Sequence, residues 1–251
     1  MTSTKVNPSN NDISAQVFGL TDKHIHFFVQ NKKQDVKQKA SPKTLGIHQQ
    51  MLTDFQLLVA SAAEDGIEIK IASGFRSFER QLLIWNNKFT GKTAIKAIDG
   101  EQVNISELSD LEIVEAILLF SALPGASRHH WGCDIDIYAA NLLDGQALQL
   151  EPWEYHSSGP MAKLSSWLTD NAQKQGFYFP YDKFRGGVAA EPWHLSYAPL
   201  AKKYQSAFSL DLLEKLLVET DIAGKEIVIE HLSDIFKRFI NNVNTTNSLI
   251  K

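Results

Sequence analysis

The sequence predicts a chain of mixed α and β structure, on three observations. Apolar residues recur at helical spacing from Ile47 through Met51, Phe55, Leu58, Val59 and Ala62. The period then drops to two in Ile67, Ile69 and Ile71, and again in C-D-I-D-I-Y from Cys133 to Tyr138, the signature of half-buried strands. Two more helical stretches follow later, SLDLLEKLLVET from Ser209 and EHLSDIFKRFINNV from Glu230.

In chain order, residues 1–12 are rich in Ser, Thr and Asn and are expected to be disordered. The polar run NKKQDVKQKASPK, Asn31 to Lys43, predicts an exposed loop with solvated lysines. The helix begun at Ile47 should be closed by Gly66, since a C-cap often needs the left-handed backbone that glycine tolerates. The strand from Ile67 runs out into SGFRS, where Ser77 is a candidate N-cap for a helix to about Lys88. Ser109 and Glu112 form a capping box ahead of LEIVEAILLFSAL, a helix expected to stop at Pro124 and Gly125. A further helix should start near Pro160 and run through Met161, Leu164, Trp167 and Leu168 to Gly176. The expected organisation is a main domain over residues 13–208 and a helical C-terminal appendage over 209–251.

Composition excludes several classes. A hydrophobic share of 43%, a charged share of 22% and a mean hydropathy of −0.20 leave no room for several membrane spans, and no stretch reads as a transmembrane helix. A formal charge of −4 and pI near 6.1 give no general attraction for nucleic acid, so no such partner is expected. The single cysteine, Cys133, rules out an intramolecular disulfide. The polar N-terminus lacks the pattern of a secretory signal, so a cytoplasmic location is expected, or a periplasmic or envelope one if an export element is missing. Oligomeric state is not encoded in any pattern found here.

The densest set of chemically capable residues is SRHHWGCDIDIY, Ser127 to Tyr138. Alternation puts Asp134 and Asp136 on one strand face and Cys133, Ile135 and Ile137 on the other. In EPWHLSY, Glu191 to Tyr197, a second strand would set His194 and Ser196 opposite Trp193, Leu195 and Tyr197. If the two strands are neighbours, His194 and Asp136 share a cleft that His129 can complete. Two imidazoles and a carboxylate form a catalytic zinc set with a position left for water, and Glu191 is then available as the base. Spacing alone leaves a structural reading of these histidines open. The tripeptide EPW also occurs at Glu151 to Trp153, but there Glu154 follows the tryptophan and the setting is that of a surface turn lining the cleft.

Three stretches carry a resemblance. SRHHWGCDID resembles the SxHxxGxxxD motif, EPWHLSY the ExxH motif and SGFRSFERQ the SGxRS signature of peptidase family M15, the zinc D-alanyl-D-alanine carboxypeptidases of the vancomycin-resistance type and their L,D-carboxypeptidase relatives. The resemblance implies a compact α+β domain with a central antiparallel sheet flanked by helices, whose polar face holds one zinc ion. It implies His129, Asp136 and His194 as ligands, Glu191 as catalytic base, Arg76 as the group that stabilises substrate and transition-state oxygens, and Gln81 and Ser127 as substrate contacts. The implied reaction is removal of a terminal D-alanine from a peptidoglycan stem peptide or muropeptide, across a D,D or an L,D bond. Asp134 departs from the commonest motif, and could orient a histidine, meet a substrate amine or serve as a structural residue. Two rivals are a cysteine hydrolase built on Cys133 and a noncatalytic peptidoglycan-binding protein with a degenerate site.

Overall fold

The computed structural model describes residues 13–30 and 43–245. The expectations for 1–12 and for the loop 31–42 fall outside the described residues. The architecture is α+β. A short helix α1 (Ile13–Val17) precedes a hairpin of β1 (Ile25–Gln30) and β2 (Lys43–His48), then α2 (Leu52–Glu64), β3 (Ile69–Ser73), α3 (Phe78–Phe89) and α4 (Asp110–Leu118). Next come β4 (Asp134–Ala139), α5 (Ala162–Asn171), β5 (Phe177–Tyr178), β6 (His194–Tyr197) and α6 (Ala198–Ala207). Three helices follow, α7 (Leu210–Glu219), α8 (Lys225–Glu230) and α9 (Leu232–Ile235), the last running into a π turn over Phe236–Ile240. Among the described residues no helix is long and apolar enough to cross a membrane.

Local signals account for several helix ends. Ser77 accepts from the Arg80 amide at the start of α3, and Ser109 and Glu112 form a reciprocal capping box on α4. Gly66, at φ +69°, lets its own amide reach Ala63 O and the Ile67 amide reach Ala62 O, a Schellman closure of α2. Three boundaries correct the sequence reading. The helix expected from Ile47 starts at Leu52, because Ile47 sits in β2 paired with His26, and its four-residue spacing to Met51 is a coincidence of two buried elements. The helix from Asp110 ends at Leu118, before Pro124. The α6 helix was not foreseen, although Pro199 stands in its first turn.

The main sheet is antiparallel in the order β3-β4-β6-β5. Its register fixes the site. Asp136 is paired with Ser73 on one side and His194 on the other, and Ser196 with Asp134 and Tyr178. Two parallel rows of polar side chains therefore cross one face, Ser73-Asp136-His194 and Asp134-Ser196-Tyr178. Ser73 reaches that face only because the register shifts between Ile71 and Ser73; without this bulge it would share the apolar face of Ile71. Ile69, Ile71, Ile135, Ile137 and Leu195 face the opposite way into a single apolar core, which Leu213, Leu217 and Val228 of the C-terminal helices also join.

Candidate active site

His129 comes to the metal row from a 3-10 turn over Arg128–Trp131, ended by Gly132 in the left-handed region at φ +69°. This turn is stitched to the loop after β3 by three hydrogen bonds. His129 Nδ1 donates to Gly74 O at 3.0 Å, the Arg76 amide donates to His129 O at 3.1 Å, and His130 Nδ1 donates to Arg76 O at 2.6 Å. Gly74 is obligatory here, since a Cβ would overlap the Gly46 carbonyl oxygen.

The structure gathers His129, Asp136 and His194, each with one donor atom within 4.8 Å of the others. His129 Nε2 lies 3.4 Å from Asp136 Oδ2, and His194 Nδ1 lies 3.2 Å from Asp136 Oδ1 and 3.2 Å from Glu191 Oε2. Each imidazole has its outer nitrogen committed. His129 Nδ1 is fixed by a carbonyl, and His194 Nε2 donates to Asp134 Oδ1 at 3.0 Å, so both inner nitrogens present lone pairs to the same point. His194 Nδ1 and Asp136 Oδ1 are buried without a hydrogen-bond partner, which is costly unless a cation sits between them. Charge points the same way. Burial works against charging His194, yet the carboxylates of Asp134, Asp136 and Glu191 around it raise its pKa well above the ordinary value, so the centre is built to hold positive charge. Two imidazoles and a carboxylate with fixed outer contacts fit zinc.

Asp134 is fully buried behind the metal row. It accepts from Arg128 Nε at 2.7 Å and Ser196 Oγ at 2.9 Å as well as from His194, and Arg128 also donates to Tyr178 and Ser196. Burial favours the protonated acid, but Arg128 and then His194 outweigh it and keep the Asp134 carboxyl below the usual range. Of the readings open for Asp134, its position allows two, orientation of a histidine and a structural ion pair with Arg128; a substrate amine cannot reach it. Cys133 is buried too, with its thiol directed at Asp134 Oδ2 at 3.5 Å, and burial pushes that thiol far up, away from thiolate chemistry.

A cleft of about 420 Å³ opens over the metal row, lined by Arg76, Ser127, His129, Asp136, Glu191 and His194 among others. Gln81 is the one predicted site residue that the wall does not include. It is fully buried, with Oε1 accepting from Arg76 at 2.7 Å and Nε2 donating to Ala122 O at 2.6 Å, so it holds Arg76 from behind. Arg76 also donates to Ser73 Oγ at 3.2 Å. The first EPW copy forms a 3-10 turn over Pro152–Tyr155; Glu151 lines the cleft and pairs with Lys96, while Glu154 is spent on backbone amides of Gln149 and Glu151.

Residues 44–200 match the family VanY, D-alanyl-D-alanine carboxypeptidase. The chain belongs to the VanY family. An uncharacterized protein of Haemophilus influenzae is 40% identical over 121 residues, which cover 47% of this chain and 92% of that one. A D-alanyl-D-alanine carboxypeptidase of Enterococcus faecalis is 30% identical over 145 residues, 57% of this chain and 44% of the enterococcal one. A crystal structure of a vancomycin-resistance D,D-pentapeptidase VanY variant in complex with Zn(II) aligns at 27% identity and TM-score 0.45, covering 67% of this chain and 83% of that chain. Sequence reasoning missed two side chains around this VanY-type centre. Arg128 was passed over inside its own motif, where its position beside His129 was the available signal, and Lys88 was read only as the last residue of a helix.

Proposed function

We propose that this chain is a zinc-dependent metallocarboxypeptidase that removes the terminal D-alanine from peptidoglycan stem peptides or muropeptides. The observation that carries the reading is the pair of buried, unpartnered atoms, Asp136 Oδ1 and His194 Nδ1, beside His129 Nε2. These three residues would hold one zinc ion, which would supply Lewis-acid polarisation of the scissile carbonyl and ease deprotonation of the attacking water. Glu191, at 3.2 Å from His194 Nδ1, stands where it can take the proton from that water and return it to the leaving amine. Arg76 turns its fork into the cleft and is kept there by Gln81 and Ser73, where it can pair with a carboxylate or an oxyanion. Ser127 offers a hydroxyl from the wall as a substrate contact. Residues 13–208 would form the peptidase domain, with 209–251 as its helical brace.

The test is to incubate zinc-loaded protein with a tetrapeptide stem, a pentapeptide stem and free D-alanyl-D-alanine, and to identify products by mass. D-alanine release from one of the stem peptides is expected; release from none would leave a noncatalytic binding role. In Glu191→Ala, turnover should drop by about 100-fold or more while zinc content stays at the wild-type level. Unchanged turnover in that variant would remove Glu191 from the mechanism.

A further inference from the structure

Beyond the metal row the cleft carries two cations that form no direct ion pair. Arg76 and Lys88 both line it, and among the described residues neither has a carboxylate within ion-pair distance. Arg76 is held by the neutral oxygens of Gln81 and Ser73, and Lys88 Nζ donates to Ser121 Oγ at 2.7 Å. Glu191 faces the same cleft and its charge favours both cations from a distance, as that of Asp136 favours Arg76, but its direct ion-pair contact is with His194.

The two cations are joined through one segment of chain. Gln81 and Lys88 stand seven residues apart on α3 and so share a face, with buried Trp85 between them. Gln81, which fixes Arg76, donates to the carbonyl of Ala122, and Lys88 binds the hydroxyl of the adjacent Ser121. A run of hydrogen-bonded groups therefore places Arg76 and Lys88 on the same wall of the cleft, near enough for the charge of one to act on the other. Partial burial lowers the Lys88 pKa, and the charge of Arg76 adds to that effect. Two like charges held together in a partly desolvated cleft by neutral partners are stabilised by an arriving anion.

We propose that Lys88 is a specificity-determining residue that, with Arg76, seats the free C-terminal carboxylate of the substrate. This rests on the carboxypeptidase reading and adds to it the group that makes the cleft select a chain end. A solvated helix lysine would be indifferent to the substrate terminus, whereas Lys88 should distinguish an acid from an amide.

The experiment compares wild-type, Lys88→Met and Lys88→Arg proteins, all zinc-loaded, on one stem peptide with a terminal D-alanine acid or its C-terminal amide. Methionine keeps the length and apolar stem of lysine, so the fold should be retained. For the acid, Lys88→Met should raise KM about tenfold with kcat little changed, and Lys88→Arg should recover most of the loss. The amide should be cleaved equally by wild type and Lys88→Met. In parallel, calorimetry should show D-alanine binding weakened about tenfold by Lys88→Met and D-alaninamide binding unaffected. Equal losses on acid and amide, or no loss on either, would overturn the proposal. Should the wild type cleave neither peptide, the peptidase reading fails by itself, and the D-alanine and D-alaninamide titrations still decide the role of Lys88.

Discussion

Replacing Asp134 by Asn isolates the charge that stands behind His194. The side chains are nearly the same size, and the amide oxygen can still accept from Arg128 Nε and His194 Nε2, at 2.7 and 3.0 Å in the wild type. The amide nitrogen would take the place of Oδ2 opposite Ser196 Oγ, whose hydroxyl can rotate to accept. What is lost is the negative charge beside a fully buried guanidinium. Breaking a buried ion pair on one side costs roughly 3 kcal/mol, the low end being apt because Tyr178, Ser196 and Gln205 still bind Arg128. At 2–4 °C per kcal/mol for a chain of this size, the apoprotein should melt about 6–12 °C lower. The second effect is on the metal. A neutral partner makes His194 Nδ1 a weaker donor and leaves its tautomer less firmly set, which lowers zinc affinity about 10- to 100-fold. Thermal melts in chelator and zinc titration against a competing indicator read the two effects separately. If Asp134→Asn melts lower yet binds zinc within about twofold of wild type, Asp134 is an ion-pair partner for Arg128 and nothing more.

Two further outcomes follow from buried groups. His48 and His130 are locked neutral, His48 accepting from the Gln50 amide at Nδ1 and bonded to Tyr204 OH at Nε2, His130 donating to Arg76 O and accepting from the Gly125 amide. Burial lowers their pKa values to about 4 and about 3, below the 6.5 of the unfolded chain, so the unfolded state binds protons first as pH falls. Their contribution should be full above pH 6.5 and decline toward pH 4, whereas that of His194, whose pKa is raised, runs the other way; the His48 part is therefore read in denaturant titrations of the apoprotein as the difference between wild type and His48→Gln, and a difference that does not change between pH 7 and pH 5 would refute the assignment. Cys133→Ala should keep both zinc and D-alanine release, measured by metal analysis and product mass; loss of turnover with metal retained would restore a thiol mechanism.

What could be read in the sequence was whatever is local. Ser77, Ser109 and Gly66 act on amides within a few residues, so their signals are short-range and were legible. The pairing of Asp136 with His194 followed from two alternating segments once they were taken as neighbours. Neither the β1-β2 hairpin nor the bulge before Ser73 has such a signature. Ile47 and Met51 mimic a helical repeat, and a bulge is defined only by the partner strand. The place of Arg128 beside His129 marked it, but its role was illegible for a related reason. Its acceptors lie 6, 50, 68 and 77 residues away, and a lone arginine in a motif says nothing about which distant oxygens will surround it.

The C-terminal helices bear on the site through α3. Trp85 Nε1 donates to Ala223 O at 3.0 Å, Asn86 Nδ2 donates to Asp221 O at 3.1 Å, and the Ala223 amide donates back to Asn86 Oδ1 at 2.9 Å. Gly224 lies so close under Phe89 that a Cβ would overlap the ring. These contacts hold α3 through Trp85, on the face that carries Gln81 and Lys88, and through Asn86 and Phe89 on the flank beside it. The brace therefore fixes the rotation of α3, and rotation decides where both side chains reach: at 100° per residue, a turn of the helix by one position would swing Lys88 off Ser121 and Gln81 off Arg76. Helices with no chemically suggestive residue of their own thus hold the cationic wall in register with the metal row.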